Sequence, residues 1–253
     1  MEVLIWLILI IIFLVSFHIL FNNKKIIKED FLGKYTAVIV EPREHKALEF
    51  VLKNFLENLN DNWNILIMHG NKNKGFIDKI LDKLEKFKDR ISLINLNVDN
   101  LSIKDYNNLL VSKKFHDYIP TEVFLVFQTD TIICGDYKNY INDFLQYDYA
   151  GAPWLDKEVG NGGLSIRRKS KMLEIIDKCT YSNQNEDLYF ALACPEIYRY
   201  KPDHKTARNF SVEQVYHEDS FGIHKPWLNI SGDDVDKKNK FCPGLKELVE
   251  LNN

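Results

Sequence analysis

Val123-Phe124-Leu125-Val126-Phe127 runs directly into Gln128-Thr129-Asp130-Thr131, an apolar strand that ends at an aspartate. A short run with no polar interruption suits a strand buried on both faces, as in a parallel sheet covered by helices. The runs Tyr35–Val40, Trp63–Met68 and Ile91–Leu96 read the same way, and helical apolar spacing fills His45–Leu59 and Gly75 to about Phe87. Strands alternating with helices predict an α/β domain with a mostly parallel central sheet. In such sheets ligand-binding groups gather outside the carboxyl ends of the strands, which gives Asp130 a functional reading. Its bland alternative is a helix-cap or turn partner.

Downstream, Tyr147–Trp154 reads as a turn or strand edge, and Gly160-Asn161-Gly162-Gly163-Leu164-Ser165-Ile166 moves from flexible backbone into a short strand. Lys171–Lys178 and Glu186–Ala193 read as helices, and Pro202–Lys225 as loops and short strands. Upstream, residues 3–21 form an apolar run interrupted only by Ser16 and His18, long enough as a helix to cross a bilayer. Glu2 before it and Lys24-Lys25 after it do not suit a cleaved signal, so the run reads as a retained single-pass membrane anchor. The flanking lysines favour a cytoplasmic body by charge, whereas a luminal enzyme on a stalk needs the opposite orientation. The predicted organisation is an anchor at 1–22, a short linker at 23–33, one domain at 34–240 and a tail at 241–253.

With 45% apolar and 27% charged residues, the body has the composition of an ordinary globular domain. A net charge of -3 gives no electrostatic reason to expect nucleic acid as a partner. Cys134, Cys179, Cys194 and Cys242 are too scattered for a zinc knuckle and leave the redox compartment undecided. Asn-x-Ser sequons begin at Asn100, Asn209 and Asn229.

The candidate chemistry is acidic and glycine-rich. Asp130 offers a hard oxygen ligand for a divalent cation, and His224 an imidazole for the same ion. Glu186 and Asp187 open a helix and offer a general base, although acidic residues also favour a helix N-terminus electrostatically. Gly162 and Gly163 permit close backbone approach to a ligand, with Asn161 a hydrogen-bonding partner. Gln128 and Lys225 flank the same region, Lys225 as a phosphate contact. Glu41 and Arg43, after the first strand, suit either a nucleotide site or a local ion pair. Arg167 and Arg168 read as a phosphate contact or a solvated face, and Trp154 and Trp227 as sugar platforms or core.

Taken together, Phe127–Thr131, Tyr147–Trp154, Gly160–Arg167, Glu186–Phe190 and Phe221–Trp227 resemble a little-characterised family of glycosyltransferase-like domains found in large DNA viruses, bacteria and some eukaryotes. The resemblance spans about Lys34 to Trp227. Such domains are similar to the GT-A class of nucleotide-sugar transferases, which implies a three-layer α/β/α body with its site above the sheet ends. It also implies transfer of a sugar from a nucleotide-sugar donor to an acceptor hydroxyl on a glycan, protein or lipid, with inversion and with Mn2+ or Mg2+ assistance. On that analogy Asp130 is the surviving aspartate of the metal motif, Asp187 activates the acceptor, and His224 is a late histidine near the metal. Gln128 stands where many transferases carry another carboxylate. The competing expectation is a catalytically silent, membrane-anchored carbohydrate-binding or assembly protein.

Overall fold

The computed structural model describes residues 33–156, 158–227 and 232–253. The anchor read at residues 3–21 and the sequon at Asn229 lie outside them. Among the described residues no helix is long and apolar enough to cross a membrane.

Six strands form the central sheet: β1 (Tyr35–Val40), β2 (Trp63–His69), β3 (Ile91–Asn95), β4 (Val123–Phe127), β6 (Tyr149–Pro153) and β7 (Val159–Arg168), while β5 (Thr131–Ile133) lies in a second sheet. Their order across the sheet is β3-β2-β1-β4-β7-β6. β1 pairs in parallel with β2 and β4, and β2 with β3, whereas β7 runs antiparallel to both β4 and β6. The parallel expectation therefore holds up to β4 and gives way at β7.

Strand alternation divides the interior into two layers, as the period of two requires. Ala37, Ile39, Ile65, Ile67, Leu125 and Phe127 enter one core. Val38, Leu66, Met68, Phe124 and Val126 enter the other. On the first face the helix Leu48–Asn58 buries Leu48, Val51, Leu52, Phe55 and Leu56, the i, i+3, i+4 stripe of an amphipathic helix. Its Phe55 ring stacks on Phe127 with centroids 4.0 Å apart, which fixes the end of the strand that leads to Asp130.

The connections place the site. From β1 the chain winds outward through β2 to β3, then returns to the other side of β1 as β4. The gap beyond the carboxyl ends of β1 and β4 is thus the topological switch point, where open α/β sheets bind ligands. A small second sheet closes one flank. It adds β8 (Ser211–Val212) and β9 (Gly222–His224) to β5, with β9 in the middle.

Pro202–Lys225 and residues 241–253 are among the stretches that differ from the sequence reading. Pro202–Lys225 contains the helix His204–Phe210, capped by Asp203, whose carboxylate accepts from the Thr206 N–H. Residues 241–253, expected as a tail, hold the helix Leu245–Asn252, with Cys242, Leu245 and Leu248 buried in the first core. Disulfides join Cys134 to Cys242 and Cys179 to Cys194. The first ties the C-terminal helices to the residue after β5, across a chain separation of 108 residues.

Candidate active site

The switch point opens into a cleft of about 680 Å³. Asp130, His224 and Asp187 all line it, as do Glu41, Arg43, Gln128, Asn161, Gly162, Gly163, Glu186 and Lys225. Residues far apart in the chain, read separately as candidates, share one cavity of a size suited to a small ligand.

Asp130 follows β4 in the tight turn into β5, where the Thr131 N–H and hydroxyl both donate to the Gln128 carbonyl. His224 is brought alongside by antiparallel pairing, since Thr131 faces His224 across β5 and β9. The Lys225 N–H then donates to the Asp130 carbonyl at 3.0 Å. Lys225 itself sits at φ 45°, in the left-handed region that L residues seldom adopt.

His224 Nε2 lies 3.4 Å from Asp130 Oδ1. On the other edge of the ring, Nδ1 lies 3.5 Å from Glu213 Oε1. Burial opposes the charged ring, but the Asp130 and Glu213 carboxylates outweigh it and raise the His224 pKa. Asp130 responds in kind: burial would raise its pKa, yet the charge on His224 brings it below the usual carboxylate value.

Asp130 Oδ1 and His224 Nε2 are both buried without a hydrogen-bond partner. One hard oxygen and one imidazole nitrogen, facing each other and otherwise unspent, fit a divalent cation such as manganese or magnesium. Among the described residues no group of three or more potential ligands converges, so the remaining coordination would come from water or a bound ligand.

Asp187 stands in the first turn of the helix Glu186–Leu192. Its Oδ2 accepts from the Gly162 N–H at 3.2 Å and its Oδ1 from the Leu188 N–H at 2.8 Å. The two bonds fix the carboxylate plane and leave acceptor capacity on each oxygen.

Glu186 is a correction. Instead of offering a base, it gives both oxygens to Arg167, at 2.5 and 2.9 Å. Arg167 is correspondingly neither a phosphate contact nor a solvated group, because it is fully buried in this pair. Burial works against its charge, but Glu186 overcomes this and raises its pKa.

The glycines also differ from expectation. Gly160–Gly163 lie within β7, and what they accommodate is protein. A Cβ on Gly162 would come within 2.5 Å of Glu186 Oε1, and one on Gly163 within 2.2 Å of the His224 ring. Gly163→Ala is expected to displace that ring and cost about 1–3 kcal/mol by overpacking, measured as the shift in denaturant unfolding. Asn161 likewise spends its amide on protein: Oδ1 accepts from the Gly163 N–H and Nδ2 donates to Glu213 Oε2.

On the β1 side, the Glu41 carboxylate accepts two side-chain bonds and one backbone bond from Arg43, so the local ion pair forms. Arg43 nevertheless remains half exposed and lines the cleft. Gln128 donates from Nε2 to the Tyr106 hydroxyl at 3.0 Å. Tyr106 and Glu213, both cleft-lining, escaped the sequence reading. Tyr106 sits on the short helix Ile103–Leu110, and Glu213 follows a strand of only two residues.

The family model described as "Protein of unknown function (DUF5672)" matches residues 90–224. No curated protein matches the chain. Among solved structures, the chain is similar to the galactosyltransferase LgtC in complex with donor and acceptor sugar analogues. The identity is 13%, with 86% of this chain and 94% of that chain covered and a TM-score of 0.52. It is also similar to the glycosyltransferase GlyE of Streptococcus pneumoniae, at 12% identity over 87% of this chain and 60% of that one, with a TM-score of 0.49. A further match is the mannosyltransferase PcManGT of Pyrobaculum calidifontis in complex with GDP-Man and Mn2+, at 11% identity, 56% and 46% coverage, and a TM-score of 0.44. The likeness to LgtC shows the fold: a sheet covered on both faces in a GT-A-like α/β/α body.

Proposed function

The chain belongs to the DUF5672 family and carries a GT-A-like body, and from that premise we propose that it is a glycosyltransferase moving a sugar from a nucleotide-sugar donor to an acceptor hydroxyl. The observation that carries the reading is the meeting of Asp130, His224 and Asp187 in one cleft at the switch point of the sheet.

In this reading Asp130 and His224 hold a divalent cation. A cation there supplies positive charge where the departing diphosphate accumulates negative charge. Arg43 and Lys225 line the same cleft and extend that complementarity to the phosphates. Asp187 accepts the proton of the acceptor hydroxyl as its oxygen bonds to the anomeric carbon and the bond to the diphosphate breaks. Attack from the face opposite the diphosphate inverts the anomeric centre. The acceptor is a hydroxyl of a glycan, protein or lipid.

The run at residues 3–21 enters the proposal as a single-pass anchor. Pairing of all four cysteines suits an oxidising compartment, which opposes the cytoplasmic placement that the flanking lysines imply.

The test is nucleotide release from a panel of nucleotide sugars by the full chain in detergent, with manganese, with magnesium and with chelator. Metal-stimulated release from one donor is expected. Asp130→Asn should lower it about 10²-fold, the scale of a lost interaction of about 3 kcal/mol. Folded protein that neither binds nor turns over any donor would instead favour a binding or assembly role.

A further inference from the structure

Glu213 has an arrangement that the transfer reaction as described does not use. β8 runs parallel to β9 with Val212 opposite Ile223, so Glu213, just past the end of β8, lies beside His224, the last residue of β9. Glu213 is buried, and its two oxygens face different partners. Oε2 accepts from Asn161 Nδ2 at 2.7 Å, and Oε1 lies 3.5 Å from His224 Nδ1. The Asn161 amide cannot turn over freely, because its Oδ1 already accepts from the Gly163 N–H at 3.1 Å. A fixed donor therefore holds one edge of the carboxylate and leaves the other for the imidazole.

A neutral imidazole carries one N–H and one lone pair. Carboxylates face both nitrogens, Asp130 Oδ1 at Nε2 and Glu213 Oε1 at Nδ1, so the proton settles on Nδ1 when a cation occupies Asp130 and Glu213 is there to receive it. We infer that Glu213 is a positioning residue that holds His224 as the Nδ1–H tautomer, turning the Nε2 lone pair toward Asp130 as a ligand for a divalent cation. This rests on the metal-assisted reading above. Asn161 belongs to the same device, because its Nδ2 sets the direction of the carboxylate. The chain of contacts passes from Gly163 through Asn161 and Glu213 to His224 and Asp130. It thereby links β7, β8, β9 and the turn after β4.

The chemistry gives a variant with a distinctive outcome. In Glu213→Gln the new amide has one acceptor and one donor, while Asn161 Nδ2 demands the acceptor. The donor then faces His224 Nδ1, makes that nitrogen the lone-pair side, and moves the proton to Nε2, where it repels a cation. Adding Asn161→Asp reverses this. The carboxylate introduced at position 161 accepts both from the Gly163 N–H and from the amide introduced at position 213, which returns an acceptor oxygen to Nδ1.

The experiment uses the full chain labelled with 15N-histidine, recorded at a pH where the ring is neutral and at a Mg2+ concentration that just fills the wild-type site, with the His224 signals assigned by their loss in His224→Gln. The expected result is an Nδ1–H ring in the wild type, an Nε2–H ring in Glu213→Gln and recovery of Nδ1–H in the double variant. In parallel, calorimetric Mn2+ titration should show affinity falling about 10- to 100-fold in Glu213→Gln and returning in the double variant. An Nε2–H ring in the wild type overturns the inference without recourse to any variant. So does a loss of Mn2+ affinity with the tautomer unchanged, which would make Glu213 a direct ligand, or lowered stability with tautomer and affinity both unchanged. None of these readouts uses a donor sugar, so an absence of transfer counts against the proposed reaction and leaves this inference to its own data.

Discussion

Asp187→Asn is expected to lower kcat about 10²–10⁴-fold, the range that a positioned general base contributes. KM for the donor should change little, because donor affinity is assigned to Asp130, His224, Arg43 and Lys225. The structural cost of the substitution is bounded by the contacts that it touches. Asp187 accepts from the Gly162 and Leu188 N–H groups, and an asparagine can satisfy only one of them with its carbonyl oxygen. That forfeits about 1 kcal/mol of hydrogen bonding, roughly a fivefold effect if it fell entirely on the rate. A drop beyond 10²-fold with a thermal midpoint shifted by only a few degrees therefore points to lost proton transfer, not to a misplaced helix. Steady-state kinetics with donor and acceptor varied independently make the measurement. A loss of less than tenfold would remove Asp187 from the base role and leave the inverting course without its acid–base partner.

The sequence revealed this site unevenly, and the physical reasons differ by element. β1, β2 and β4 were legible because parallel strands buried on both faces need uninterrupted apolar runs, and Asp130 stood out through its place at the end of one of them. The second sheet was legible only as unplaced short strands within Pro202–Lys225, since strands of two and three residues carry no period that fixes their bounds or pairing. Glu213 was lost with it, because one glutamate after Ser211-Val212 has no local signature of its contact with His224. The helices Ile103–Leu110 and Lys113–Tyr118 are too short for apolar spacing to identify, which hid Tyr106 as well. Gly162 and Gly163 gave a true signal of close approach, but the approaching groups are Glu186 and His224. Arg167 was obscured by its type: arginines usually reach solvent, and only the fold discloses the carboxylate that meets it inside.

That buried pair carries the largest expected effect on stability. Arg167 is held by Glu186, by Ser165 Oγ at 3.0 Å from its Nε, and by the Gly162 carbonyl at 3.3 Å. Its guanidinium also lies 5.2 Å from the Tyr149 ring centroid and 5.6 Å from that of Phe190. Arg167→Met removes the cation and leaves the Glu186 carboxylate buried without its counter-charge, at an expected cost of about 3–5 kcal/mol. For a body of this size, that corresponds to a fall in thermal midpoint of roughly 10 °C or more. Combining Arg167→Met with Glu186→Leu should recover most of the loss, because the penalty arises from the orphaned charge more than from the missing attraction. Thermal unfolding of the single and double variants tests this; equal losses in both would mean that packing around Tyr149 and Phe190, and not charge burial, sets the cost. The double variant also separates stability from function. Glu186 anchors the first turn of the helix that presents Asp187, so a stable double variant with reduced kcat would show that the pair fixes the direction of the base as well as the fold.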